Sequence, residues 1–189
     1  MESSGLRVGI AHHFGWAVAV TASLWHEVVD RRRIELVEPG VATAPIHHEG
    51  KSLDDDGVVE LVATVRESAV RTTTAELDRL AADVAQPLLS VSLRVWPPDF
   101  PTDIAVQRQV SHESRADSVM YRQVFAECAR RRSWQVHFFD AKTVETEAAE
   151  ILGDRTDEVL HGPRARLGPP WAKDHRIALA ATIVVGADG

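Results

Sequence analysis

The run Val8-Gly9-Ile10-Ala11-His12-His13-Phe14-Gly15-Trp16-Ala17-Val18-Ala19-Val20 sets two apolar segments around a tight turn of His, His, Phe and Gly. Residues 8–11 and 16–22 are rich in small and β-branched side chains. They read as two strands, buried on both faces. A third β-like segment spans 28–37, and its apolar ends enclose Asp30-Arg31-Arg32-Arg33. A charged middle of this kind fits an edge strand or a hairpin crossing solvent.

Outward from this opening, Pro39-Gly40, Pro45, Gly50 and Asp54-Asp55-Asp56 make residues 38–57 a loop or insertion. Val58, Leu61, Val62, Val65, Ala69, Leu77, Leu80 and Val84 then follow a helical stripe over about 56–84. The aspartates at its start suit the positive end of the helix dipole. Thr72-Thr73-Thr74 weakens its middle, so one long helix or two consecutive helices both fit. Leu89, Val91, Leu93 and Val95 alternate with polar residues as a strand that Pro97-Pro98 stops. After a proline-containing loop over 97–111, Met120, Val124 and Cys128 mark a helix over 114–131. A strand follows at 134–139, then a helix at 144–152 capped by Gly153. Residues 153–170 read as an irregular loop, and 172–184 as a final apolar helix.

Strands that open the chain imply antiparallel pairing, and the later alternation implies right-handed βαβ crossings. The expected architecture is α/β, a mixed central sheet covered by helices. It forms a single domain over 1–189 with its core at about 6–185.

The 189 residues are ordinary for a globular protein, with 44% hydrophobic and 26% charged residues. A formal charge of −7 argues against a broad nonspecific grip on nucleic acid, while leaving room for a local basic groove. The single cysteine, Cys128, forms no internal disulfide and suits a reducing cytoplasm. Residues 1–7 are too short and polar for a secretory signal. No apolar run reaches the roughly 18 residues needed to span a bilayer.

The opening hairpin, together with Trp171-Ala172-Lys173-Asp174-His175 at the start of the last helix, resembles the ribonuclease H-like superfamily. The resemblance covers about residues 8–184. It implies three antiparallel strands followed by parallel ones, a layout also found in bacterial proteins that lack the usual first-strand acid. Members include nucleases, Holliday-junction resolvases and actin-like kinases. The nucleases hold divalent metal with carboxylates on the first strand, near the fourth strand and on the last helix. Asp174, with His175, matches the last of these positions. The first-strand acid falls at about Ala11 or His12, neither of which is acidic, and Asp99 lies beyond two prolines after the fourth strand.

His12 and His13 are the first candidates for chemistry, since imidazole binds metal, moves protons and donates to phosphate. Neighbouring strand residues face opposite ways, so one of the two points into a given site unless the turn twists. The plain alternative is a pair of turn histidines bonded to backbone. Gly15 permits close approach of backbone N–H groups to a phosphate, although no GK[ST] follows to make a P-loop. His47-His48-Glu49, His112-Glu113, Asp140 and Asp174-His175 add nitrogen and oxygen donors. With no compact HxxxH, HExxH or CxxC, a metal site has to be assembled from distant segments. His12, Asp140 and Asp174 are its candidate ligands. The arginines at 31–33 and at 155, 164 and 166 are either solvated or grip an acidic ligand. Trp96 and Trp171 flank proline-rich loops and read as core packing or as the lining of a pocket.

These readings converge on a catalytically divergent protein. It is expected to bind a phosphate-bearing ligand or a protein partner at one sheet end, through His12, His13, Gly15, Asp99 and Asp174. The alternative is a metal-dependent phosphoesterase or nuclease with a divalent metal as cofactor. There His12 and Asp174 ligate it, and His13 or His175 moves protons. A structural interaction subunit is the third reading. Whether any reaction is catalysed stays open at this point.

Overall fold

Alternation along the first strand decides the two faces of the sheet. In β1 (Leu6–His12), Leu6, Val8 and Ile10 face one helical layer, and Ala11 faces the other. β2 (Trp16–Ser23) pairs antiparallel with β1, and β3 (Val28–Glu35) antiparallel with β2. The chain then forms α1 (Asp55–Asp83) and returns as β4 (Leu88–Arg94), parallel to β1. α2 (Ile104–Gln107) and α3 (Glu113–Arg130) lead to β5 (Gln135–Phe139), parallel to β4. The sheet order is β3-β2-β1-β4-β5. α4 (Val144–Leu152), α5 (Pro163–Leu167) and α6 (Lys173–Val184) complete the chain. The structure, a computed structural model, describes residues 5–185. Residues 1–4, which begin the stretch read above as too short for a secretory signal, and residues 186–189 lie outside the described residues.

α1 and α3 cover the face that carries Val8, Ile10 and Leu93. α4 and α6 cover the face that carries Val18, Val20 and Ala22. The approach of α6 to β1 is close. A Cβ placed on Gly9 would lie 1.7 Å from the Ala178 carbonyl oxygen, so glycine is required there. The charged middle of β3 is tolerated because β3 is an edge strand.

The region 55–83 is one helix. The Asp54 side chain caps it by accepting the Gly57 N–H at 2.9 Å. The threonine run does not break it. Thr73 is buried, and Arg132 donates to the Thr74 carbonyl at 2.8 Å, so tertiary contact overrides weak propensity. All three long loops carry more structure than their composition implies. Residues 38–57 contain a π-helical turn, Pro45–Glu49, and 97–111 contain α2. Residues 153–170 contain a 3-10 turn, a second π-helical turn and α5. The first π-turn is fixed from a distance: Asp117 of α3 accepts the N–H groups of Ile46 and His47 at 3.0 and 2.8 Å. Among the described residues, no helix is long and apolar enough to cross a membrane.

Candidate functional site

The end of β1 separates its two histidines. The His12 ring meets Phe125 of α3 edge-on, with centroids 5.4 Å apart. Both of its nitrogens are buried without a hydrogen-bond partner. Burial, then the charge of Arg122 and then His13, lowers its pKa to about 3, so it is a neutral imidazole. Arg122 is itself buried, donates to the Val95 carbonyl at 2.8 Å, and is lowered to about 10, chiefly by desolvation.

His13 emerges on the α6 face. Its Nε2 is 2.8 Å from Asp174 Oδ2, and its ring stacks on Trp16 with centroids 4.0 Å apart. The Arg33 guanidinium lies 4.1 Å from the Trp16 ring centroid. Val18 pairs with Arg33 across the sheet, so the register of β2 and β3 sets this arginine beside the indole. Next to the His13–Asp174 pair, a cleft of about 540 Å³ is walled by Trp16, Arg31, Arg33, Pro170, Asp174 and His175. Arg31 donates to the carbonyls of Leu167 and Gly168, each at 2.8 Å, and to that of Pro170. Carbonyls do not neutralise it, so its charge still acts on the cleft. Arg32 is tied to Asp30 and Asp83, and Arg33 to Glu35. His175 is buried and accepts the Ala172 N–H at 3.3 Å. Burial, then Arg31, lowers its pKa.

The other sequence candidates are dispersed. Gly15 is buried at φ +76° in the turn, where its carbonyl accepts the Leu36 N–H at 2.8 Å. An added Cβ there would lie 2.6 Å from the Thr43 methyl, a steric demand that glycine meets. Asp99 is exposed in the turn after β4. Asp140 is exposed after β5 and accepts the Lys142 N–H at 2.8 Å. His47 pairs with Glu113 at 2.9 Å, with Phe14 and His48 beside it on the α3 side. Trp171 is core, its indole donating to the Leu160 carbonyl at 2.8 Å, while Trp96 packs on Phe138. Cys128 is buried.

Among the described residues, no group of three or more His, Cys, Asp or Glu side chains is placed to hold a metal ion. His12, Asp140 and Asp174 therefore do not form the set their residue types suggested. His12 turns toward α3, and Asp174 is already bonded to His13. No three protein donors among the described residues converge as a structural zinc site requires.

Among solved structures, the chain is similar to Thermus thermophilus RuvC in complex with a Holliday junction substrate. The two are 11% identical over 95% of this chain and 91% of that chain, with a TM-score of 0.53. The fold is ribonuclease H-like. A second Thermus thermophilus RuvC structure is 10% identical over the same shares, with a TM-score of 0.48. No protein-family model matches the chain, and no curated protein matches it. In this ribonuclease H-like frame the turn after β1 and the start of α6 meet, as the His13–Asp174 bond shows. The sequence raised Arg33 only as one of three arginines that are solvated or grip an acidic ligand, and gave no sign of Trp16 as a site residue or of the contact between the two. Their signal is the pairing register of β2 and β3, which strand patterns alone do not fix.

Proposed function

We propose that this chain is a catalytically divergent ribonuclease H-like protein that binds a phosphate-bearing ligand in the cleft beside His13 and Asp174. One observation carries this reading. The sheet end at which nucleases of this superfamily gather carboxylates offers here Asp174, already bonded to His13, and a cleft walled by Arg31, Arg32 and Arg33, of which Arg32 and Arg33 have acidic partners and Arg31 is held by carbonyls. The Arg31 charge, not neutralised by an acid, favours an anion in this cleft. The similar structure from Thermus thermophilus holds a Holliday junction, itself a phosphate polymer. Asp174 orients the His13 ring, and the indole of Trp16 holds both His13 and Arg33 by stacking. Glu35 takes the Arg33 Nε, so Nη1 and Nη2 of Arg33 are the donors left to meet phosphate oxygens as charge-assisted hydrogen bonds, with the His13 ring bordering the anion.

Calorimetric titration with inorganic pyrophosphate tests the proposal. Arg33→Ala should weaken binding about tenfold, the effect of one charge-assisted hydrogen bond, and His13→Ala should weaken it measurably by removing the ring stacked on Trp16, each with the unfolding midpoint nearly unchanged. Unchanged affinity in both variants would overturn the reading. Stoichiometric retention of a divalent metal with EDTA-sensitive cleavage of a phosphodiester would replace it with the metal-dependent phosphoesterase alternative.

A further inference from the structure

The sheet end opposite the His13 turn displays an aromatic side chain that folding leaves uncovered. Trp25, in the β2–β3 hairpin, is 72% exposed, a large apolar surface for a side chain that interiors and interfaces normally take up. The hairpin that carries it is firmly made. The Ser23 hydroxyl accepts the N–H groups of Trp25 and Glu27, each at 3.2 Å, and the Ser23 N–H donates to the Glu27 carbonyl at 2.9 Å. His26 stands at φ 69°, a conformation uncommon for a non-glycine residue, and its Nδ1 is buried with no partner. Beside the indole opens a cleft of about 460 Å³, walled on its far side by Arg155, Gly162, Pro163 and Arg166. This is within the range of small-molecule sites.

Each of the two arginines has one exposed acidic partner, a hydrogen-bonded one for Arg166 and a looser one for Arg155. Arg155 is 3.8 Å from Glu158, and Arg166 is 3.1 Å from Glu27, with about half of each arginine side chain exposed. Exposed pairs of this kind contribute little and exchange readily for a better anion. Phosphate is such an anion, because a guanidinium meets two of its oxygens at once. A solvent-facing indole offers a flat apolar face, and nucleobases stack on such platforms.

We propose that the cleft between Trp25, Arg155 and Arg166 is a second binding site, which takes a nucleotide unit with its base stacked on Trp25 and its phosphate on the two arginines. The site is independent of the His13 cleft, since it lies at the other end of β1 and β2. Glu27 and Glu158 border the phosphate position and oppose it, so the occupant is held modestly and more weakly at high salt.

The indole N–H resonances of the five tryptophans are followed by NMR during titration with AMP, with Trp25→Phe assigning the Trp25 signal. The Trp25 resonance should shift saturably. Adenosine and inorganic phosphate alone should each bind at least tenfold more weakly. Arg155→Ala with Arg166→Ala should weaken AMP binding at least tenfold, and Glu158→Gln should tighten it several-fold, which a merely structural role for these residues would not do. His13→Ala should leave the Trp25 shift unchanged, which separates this site from the one proposed above. A Trp25 signal that stays still at millimolar AMP overturns the inference, as does equal affinity for adenosine. A ten-residue oligo-dA that binds tighter than AMP and moves the same resonance identifies the source as a single strand. Equal or weaker binding identifies it as the free nucleotide.

Discussion

His12 and His13 are consecutive in the chain and lie on opposite faces of the sheet: one meets Phe125 of α3, and the other bonds Asp174 of α6. The first is therefore a question of stability and the second a question of binding. The folded protein withholds a proton from His12 until about pH 3, whereas the unfolded chain takes it up near pH 6.5. Between those values the unfolded state binds more protons, so stability falls as pH falls. From pH 7 to pH 5 this single group costs about 2 kcal/mol. His12→Leu removes that slope and also removes two unpaired buried nitrogens. Urea unfolding should show the variant about 1 kcal/mol or more above wild type at pH 7, with the gap widening by about 2 kcal/mol at pH 5.

The contact of α6 with β1 predicts that Gly9 tolerates no side chain. An alanine Cβ would press on the Ala178 carbonyl, a backbone atom that no rotamer change can move aside. Gly9→Ala should cost about 3 kcal/mol, at the upper end of overpacking effects, as read by denaturant midpoint. Displacement of α6 should also loosen the His13–Asp174 pair, visible as a changed His13 ring resonance.

Much of the architecture was legible from side-chain period. The alternation of Leu89 to Val95, the stripe of Met120, Val124 and Cys128, and the small-residue hairpin from Val8 to Val20 each name their element. The turns inside the loops were not legible, because their causes are remote: the donors of Ile46 and His47 are satisfied by Asp117, some 70 residues away. The site was half legible for the same reason. That one of His12 and His13 faces a given side follows from strand geometry, but which one meets Asp174 depends on where α6 packs. Arg31 to Arg33 read as a patch because sequence shows charge, whereas the structure assigns the three side chains different partners. Trp25 gave no local sign, since exposure is a property of the surroundings.

Asp117 makes the π-turn at Pro45–Glu49 possible. It is 1% exposed, and burial raises its pKa despite the two backbone donors that favour the carboxylate. Asp117→Ala leaves the N–H groups of Ile46 and His47 without acceptors and should cost about 3 kcal/mol. Asp117→Asn keeps one acceptor oxygen and should cost roughly half as much. In the alanine variant, hydrogen exchange at Ile46 and His47 should quicken well beyond exchange in β1, which localises the loss to this turn.

Arg31 predicts the converse case, a surface cation that acts through neutral partners. Its guanidinium fork gathers the carbonyls of Leu167, Gly168 and Pro170 and so fastens the segment before α6 onto the edge strand β3. Lysine carries the same charge but lacks the planar fork. Arg31→Lys should therefore fail to rescue the fold, and both Arg31→Lys and Arg31→Ala should lose about 2 kcal/mol, the scale of hydrogen bonds from a charged donor. Exchange-mass spectrometry should show faster exchange over residues 167–172 in both. A lysine variant with wild-type protection would mean that charge alone holds this segment. The same two variants separate structure from binding at the neighbouring cleft. Lysine keeps the positive field, so pyrophosphate affinity should survive in Arg31→Lys far better than in Arg31→Ala, even though the segment is equally loosened in both.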